Sequence, residues 1–377
     1  MMIPFNKPHF TGNELKYIED TMSKGRTAGD GYYTKACQDL LCRKYGFKKT
    51  FLTTSCTDAL ELAALLINIQ AGDEVIMPSY TFVSMANAFL LRGAKIIFAD
   101  SNANNPNIDA NGIESLITLN TKAIVVVHYA GIACDMLKIK SIADKHGVFL
   151  IEDAAQAIDG YFENRPLGGI GHLAAFSFHE TKNISCGEGG LLVINDERFF
   201  KKAEIMREKG TNRTAFFRGE VDKYSWVDIG SSFLPSELLA AFLYAQLEEI
   251  DNIERKRLAI WNRYHSGLNA LENAGKVRLP QLPDYASNNA HIFYLVCNTL
   301  QTRSDFITYM KTNGVQTPFH YVALHDSPFY NHKHDGRNLP WVQTYQDCLV
   351  RLPLFCDLEA SEVDKVIKLT QLFFGDN

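Results

Sequence analysis

The chain has no uninterrupted apolar run that approaches membrane-spanning length, which argues against a helical membrane protein. It also lacks an excess of positive charge. Its 38 lysines and arginines stand against 43 aspartates and glutamates, giving a net charge of −5 and no basic face for nucleic acid. The eight cysteines include no Cys-x-x-Cys pair, which speaks against both a zinc site and a disulfide framework and suits a reducing cytoplasm. The first ten residues lack a basic segment followed by an apolar stretch, so no export signal is expected. No repeat of solenoid period and no low-complexity tract occurs. What remains is an ordinary globular composition. With 46% apolar and 21% charged residues, 377 residues suffice for a large core and for two domains.

Thr11-Gly12-Asn13-Glu14 has the capping-box pattern and opens an amphipathic helix ending near Gly25; a second helix runs to about Gly46. A βα rhythm follows. Strands over 51–53, 74–77, 95–99, 123–127 and 148–151 alternate with helices over 57–69, 82–91, 113–117 and 136–146. Short Val-, Ile- and Phe-rich runs between helical patterns predict an α/β fold, with helices on both faces of a mostly parallel sheet. After Asn195 the rhythm breaks. Helices over 197–209 and 236–271 flank an irregular aromatic and basic loop over 211–232, whose length points to function or to an interface. Beyond Gly275, shorter strands (one over 291–296) and helices predict a smaller C-terminal α+β domain. We place the division at residue 250, giving a large domain over 1–250 with an N-terminal arm and a small domain over 251–377.

The most informative stretch is Ser177-Phe178-His179-Glu180-Thr181-Lys182-Asn183-Ile184-Ser185-Cys186-Gly187-Glu188-Gly189-Gly190. It sets Lys182 between an alternating strand over 173–178 and a second over 191–194. Such a lysine is either a solvated loop residue or, when desolvated, a free amine able to hold a carbonyl cofactor as a Schiff base. Other candidates lie where ligands gather in open α/β sheets, past the carboxyl ends of strands. Asp153 leaves the apolar strand over 148–151 and needs a partner: the ring nitrogen of pyridoxal phosphate, a helix N-terminus or a magnesium ion. Thr54-Ser55-Cys56-Thr57-Asp58, between strand and helix, is either an anion site for a cofactor phosphate or plain capping. It lacks the glycines and lysine of a nucleotide-binding loop. Phe82 is a stacking platform or core, and Ser177 is a further phosphate hydroxyl or a strand serine. Taken together, an anion site, an aromatic, Asp153 with Gln156 three residues on, then Ser177 and Lys182, are what one cofactor demands.

These motifs resemble those of the sugar-nucleotide aminotransferases, the DegT/StrS group of fold-type-I pyridoxal-phosphate enzymes. The resemblance rests on Ser55-Cys56-Thr57-Asp58-Ala59-Leu60, Pro78-Ser79-Tyr80-Thr81-Phe82, Glu152-Asp153-Ala154-Ala155-Gln156, the Lys182 stretch and Phe319-His320-Tyr321-Val322-Ala323-Leu324-His325, and so spans nearly the whole chain. It implies that Lys182 carries the cofactor as a Schiff base and that Asp153 pairs with the pyridinium. It further implies that Gln156 contacts the ring hydroxyl, that Phe82 stacks on the ring, and that Cys56, Thr57 and Ser177 hold the phosphate. L-glutamate is the implied donor, a dTDP-keto-sugar the implied acceptor, and a homodimer with active sites at the subunit interface the implied assembly. Three positions depart from the family pattern. Cys56 replaces a glycine, and Ala323 replaces a proline. Ser232, in Gly230-Ser231-Ser232-Phe233-Leu234, replaces an asparagine that reaches the phosphate from the other subunit. Lys209, Arg213 and Arg218 are candidate diphosphate ligands or a solvated basic loop; His320 and Tyr321 line the sugar site or are a packed pair. Related dehydratases carry histidine at the lysine position, which Lys182 speaks against. A cofactor-binding regulatory protein without turnover is the alternative from another class.

Overall fold

A computed structural model describes residues 2–375. After α1 (Glu14–Ser23) and α2 (Tyr32–Tyr45), the chain alternates through β1 (Lys49–Thr53), α3 (Cys56–Leu66), β2 (Glu74–Pro78), α4 (Val83–Leu90), β3 (Lys95–Ala99), α5 (Ala110–Ile113), β4 (Thr121–Val127), α6 (Met136–His146) and β5 (Phe149–Asp153). A small hairpin, β6 (Tyr161–Phe162) with β7 (Arg165–Pro166), leads into β8 (Leu173–Ser177) and β9 (Gly190–Ile194). The main sheet has the order β1-β9-β8-β5-β4-β2-β3, and only β9 runs against its neighbours.

The strands are apolar on both sides because the sheet is covered on both sides. Val75, Val125, Ile151, Leu173 and Leu192 enter one core, with α3, α4 and α7 (Phe200–Arg207). Their alternates Ile76, Ile124, Leu150, Ala174 and Leu191 enter the other. This second core is closed by α2, α6 and α9 (Glu237–Glu248), with α8 (Arg213–Phe217) lying in the preceding loop. The helix expected over 236–271 is two helices. The backbone leaves helical geometry at Glu249, and α10 (Ile250–Asn273) follows. The two halves serve different partners: α9 packs on α1 and α2, α10 on the last helix, α13 (Ala360–Gly375).

The remaining elements are β10 (Val277–Arg278), β11 (Phe293–Cys297), α11 (Leu300–Thr312), α12 (Pro340–Cys348) and β12 (Leu349–Leu352), with the three strands in one antiparallel sheet. Phe293, Leu295, Val350 and Leu352 pack with α10, α11 and α13 in a core of their own. Tyr294, Val296 and Leu349, on the opposite face, join the core of the main sheet. The first helix also starts differently from the capping-box reading. Asn13 takes the N-cap position without a side-chain bond, while the Glu14 carboxylate turns back to accept the amides of Thr11 and Gly12 at 2.7 and 2.9 Å. Among the described residues, no helix is long and apolar enough to cross a membrane.

Candidate active site

β1, β5 and β8 end side by side. Register pairs Thr53 and Ser177 with the same residue, Gly190, at the start of β9, while Asp153 lies opposite Ala175. A cavity of about 640 Å³ opens above these ends. It collects Cys56, Thr57, Phe82, Asp153, Gln156, Ser177 and Lys182 from the segments around the main sheet and His320 and Tyr321 from the segment between α11 and α12.

Lys182 sits in the turn between β8 and β9, which is braced across its base. Phe178 N–H donates to Gly189 O at 2.8 Å, Glu180 N–H to Gly187 O at 2.9 Å and Cys186 N–H to Phe178 O at 2.9 Å. The adjoining Asn183 is buried and fixes the turn to α10 and to the segment before β11. Its amide donates to Asn289 O at 2.8 Å and to Glu254 at 3.2 Å, and its carbonyl oxygen meets His291 Nδ1 at 2.9 Å. Burial pushes the Lys182 amine below its ordinary range, against the opposing pull of Asp153. The Asp153 carboxyl is raised, again first by burial, although the Ala155 amide at 3.0 Å and Lys182 favour its anion.

Next to it, Glu152 points to the opposite face and is wholly structural. It accepts the amides of Gly168, Ile170 and Gly171 together with His128 Nε2 at 3.0 Å. Burial works against its charge, but these donors prevail and its carboxyl is lowered. His128 Nδ1 accepts Cys134 N–H, so Nε2 carries the proton.

Ser55 caps α3, accepting Asp58 N–H at 3.0 Å, so the first turn of the helix faces the cavity through Cys56 and Thr57. That turn lies tight against β9. A Cβ on Gly190 would stand 2.3 Å from the Ser55 carbonyl carbon and 2.5 Å from Cys56 N. Cys56 itself, at the family's glycine position, is accommodated as the first residue of the helix. Its thiol is raised by burial and then by Asp153, so it is a neutral wall and not a thiolate. Thr57 Oγ1 donates to Ser84 Oγ at 2.8 Å. Phe82 is 57% exposed at the mouth. Gln156 accepts the Ala130 amide at 2.7 Å and donates to Tyr321 OH at 3.2 Å, so its side chain is already engaged.

Between α11 and α12, His320 and Tyr321 stack with ring centroids 3.6 Å apart, and Tyr129 OH meets His320 Nδ1 at 2.6 Å. Burial, together with Arg351 and Lys182, holds His320 well below its ordinary range, so its imidazole is neutral. Local sequence gave no sign of Arg351 or His291. They lie on or beside ordinary strands, and only the docking of the two sheets brings them to the cavity. Asn183, beside Lys182, could have been singled out as the polar residue holding that turn.

The structure does not bring the other candidates to this chain's cavity. Ser232 is exposed and pairs with Glu208 in an isolated bridge. Lys209 is exposed. Arg213 pairs with Glu208 at 3.0 Å, and Arg218 with Glu204 at 2.8 Å and with Glu220 at 2.5 Å, so both guanidiniums already face carboxylates.

The donor set suits pyridoxal phosphate. It offers a helix N-terminus and hydroxyls for a phosphate, a buried carboxylate for a ring cation, and a depressed amine for an aldehyde. The DegT/DnrJ/EryC1/StrS aminotransferase family matches residues 8–371. Among solved structures, the aminotransferase TlmJ from Streptoalloteichus hindustanus is 26% identical, with a TM-score of 0.92 and 100% of each chain covered. DesV from S. venezuelae is 27% identical (TM-score 0.90; 99% of this chain and 98% of that one). NtdA from Bacillus subtilis, with bound cofactor PMP, is 28% identical (TM-score 0.87; 97% and 83%). The chain thus belongs to the DegT/DnrJ/EryC1/StrS aminotransferase family, has its fold-type-I architecture and uses pyridoxal phosphate as its cofactor.

Proposed function

We propose that the protein transfers the amino group of L-glutamate to the 4-keto carbon of dTDP-4-dehydro-6-deoxy-D-glucose, giving dTDP-4-amino-4,6-dideoxy-D-galactose. This is the reaction of dTDP-4-amino-4,6-dideoxygalactose transaminase, which supplies a sugar for surface polysaccharides such as enterobacterial common antigen. The observation that carries the transamination is the convergence of Lys182, Asp153 and the first turn of α3 on one cavity. The choice of sugar is supported by the likeness to that enzyme of Arg207-Glu208-Lys209-Gly210 through Phe217-Arg218-Gly219-Glu220 and of the serine-bearing stretch Gly230-Ser231-Ser232-Phe233-Leu234. The exchange balances without an outside oxidant. The donor's α-carbon loses two electrons and its amino group, and the keto carbon gains two electrons and exchanges its oxygen for that group.

Bound pyridoxal phosphate supplies the electron sink and carries the amino group between the two substrates. The chain's own residues have these roles. Cys56, Thr57 and Ser177 hold the phosphate at the α3 terminus, and Asp153 pairs with the ring nitrogen. Gln156 approaches the ring hydroxyl while keeping its Ala130 bond, and Phe82 covers the ring. Lys182 Nζ, whose hold on a proton is weakened by burial, takes the donor's α-proton. It later returns a proton to one face of the sugar's C4, which fixes the configuration. His320 and Tyr321 face the sugar. In a homodimer, Ser232, Lys209, Arg213 and Arg218 of one copy would approach the other copy's cavity, Ser232 toward the cofactor phosphate and the cations toward the nucleotide diphosphate.

The test is optical and then structural. Purified protein is expected to be yellow, and L-glutamate is expected to bleach that absorbance. Mass spectrometry and NMR of the sugar product then read amination at C4 against C3, and axial against equatorial. No spectral change with any amino donor sinks transamination; a C3 or equatorial product sinks the choice of product.

A further inference from the structure

A transaminase cavity of this kind receives two unlike substrates in turn, and only the amino acid carries carboxylates. Arg351 is placed to tell them apart. β12 alternates, with Val350 and Leu352 entering the small-domain core while Arg351 faces the cavity. Lys182 and Arg351 are the lysine and the arginine among its described lining residues.

The guanidinium is held in place but not neutralised. Its Nη2 donates to Phe319 O at 2.9 Å, and it lies 4.4 Å from the centroid of the Phe5 ring. Its Nε is sealed from solvent and meets no acceptor, and among the described residues no carboxylate pairs with it. Arg207, Arg213 and Arg218, by contrast, each face an aspartate or glutamate. A partly buried guanidinium without a counter-ion favours an incoming anion. Burial lowers Arg351 from its ordinary range, an effect that Tyr129, Tyr321 and Tyr80 only partly offset.

The position of Arg351 narrows the choice of anion. A cofactor phosphate has its own end of the cavity, at α3. A nucleotide diphosphate is separated from the reacting keto carbon by the width of a sugar ring. A carboxylate is bonded directly to the reacting carbon of an amino acid, and Arg351 is near enough to Lys182 for its charge to act on that amine. We propose that Arg351 anchors the carboxylate of the amino donor by a forked pair of hydrogen bonds, which the keto-sugar does not use. The proposal rests on the transamination argued above. It makes Arg351 a specificity residue of one half-reaction only.

The experiment uses cofactor-loaded wild type, Arg351→Gln and Arg351→Lys. It measures cofactor affinity, the rate of bleaching by L-glutamate and the rate of colour return when the keto-sugar is added to enzyme loaded with pyridoxamine phosphate. Calorimetric binding of glutarate, an unreactive dicarboxylate, is the fourth measurement. In Arg351→Gln the donor rate is expected to fall by roughly 100-fold and glutarate binding to be lost, as when one member of a buried charge pair is removed. Cofactor affinity and the sugar half-reaction should hold, and Arg351→Lys should fall between the two. A wild-type donor rate in Arg351→Gln overturns the proposal. So does a defect confined to cofactor affinity, which would assign Arg351 to the cofactor phosphate, or one confined to the sugar half-reaction, which would assign it to the diphosphate. If Arg351→Gln does not fold, Arg351→Lys decides: it keeps the charge and loses the fork, so an unimpaired donor rate there rejects the anchor. Failure of wild type to bleach with any amino donor rejects transamination itself, a result distinct from all of these.

Discussion

At the scale of single residues, the chemistry depends on water being kept from a few polar groups. Lys182 is one lysine of many in the sequence, and burial beside Asp153 is what separates it from the rest. Lys182→Ala should still take up cofactor but lose turnover by roughly 10²–10⁴-fold, the usual contribution of a positioned acid–base group. Borohydride treatment followed by mass spectrometry checks the covalent link: the wild-type peptide containing Lys182 should gain the cofactor's mass, and the variant should not. Wild-type turnover in Lys182→Ala would remove the lysine from its proposed role. Lys182, Asp153, Ser177, Cys56 and Thr57 could be picked from the sequence because each follows or precedes a strand at a fixed offset. Arg351 could not, because nothing local distinguishes an arginine facing a cavity from one facing solvent.

At the scale of elements, two contacts set the geometry of the site. The first is the close approach of β9 to the α3 turn at Gly190. A Cβ there would press on backbone that cannot move aside, so Gly190→Ala should cost about 1–3 kcal/mol of stability, as overpacking does. It should also weaken cofactor binding, which titration of the visible absorbance would measure; unchanged affinity would show that the turn has slack. The second contact is the Asn183–Glu254–His291 cluster that pins the Lys182 turn to α10. Burial, partly offset by Arg257, raises the Glu254 carboxyl to about 8 from 4.5. Between those values the folded chain binds a proton that the unfolded chain has released, so stability falls as pH rises through that window. Glu254→Gln should flatten this part of the pH dependence of the unfolding midpoint. A variant that loses stability between pH 6 and 8 as steeply as wild type would argue against the neutral buried carboxyl.

At the scale of the whole molecule, the cavity is completed by two segments remote in sequence. The strand alternation and the helical spacings predicted the main sheet and most of its helices within a few residues. The sequence reading joined α9 and α10 because helical spacing continues through Glu249; the break follows from two cores pulling on one helical pattern. The loop over 211–232 leaves Phe217, Trp226, Val227 and Ile229 exposed, which is costly for a free surface and suits a second copy of the chain. Sedimentation equilibrium is therefore expected to give twice the chain mass of 42.4 kDa. Phe217→Glu should shift the protein toward monomer and, through loss of Ser232 from the neighbouring cavity, weaken cofactor binding; a monomeric wild type would refute both.

The sequence by itself determined the α/β architecture, because strand and helix periods are local, and it marked candidate cofactor residues, because strand ends and helix starts are local too. The tertiary structure alone decided that the Lys182 amine is lowered and what stands across from it. Desolvation depends on every element packed around the amine. The approach of Arg351 depends on how the face of one sheet settles against the edge of another.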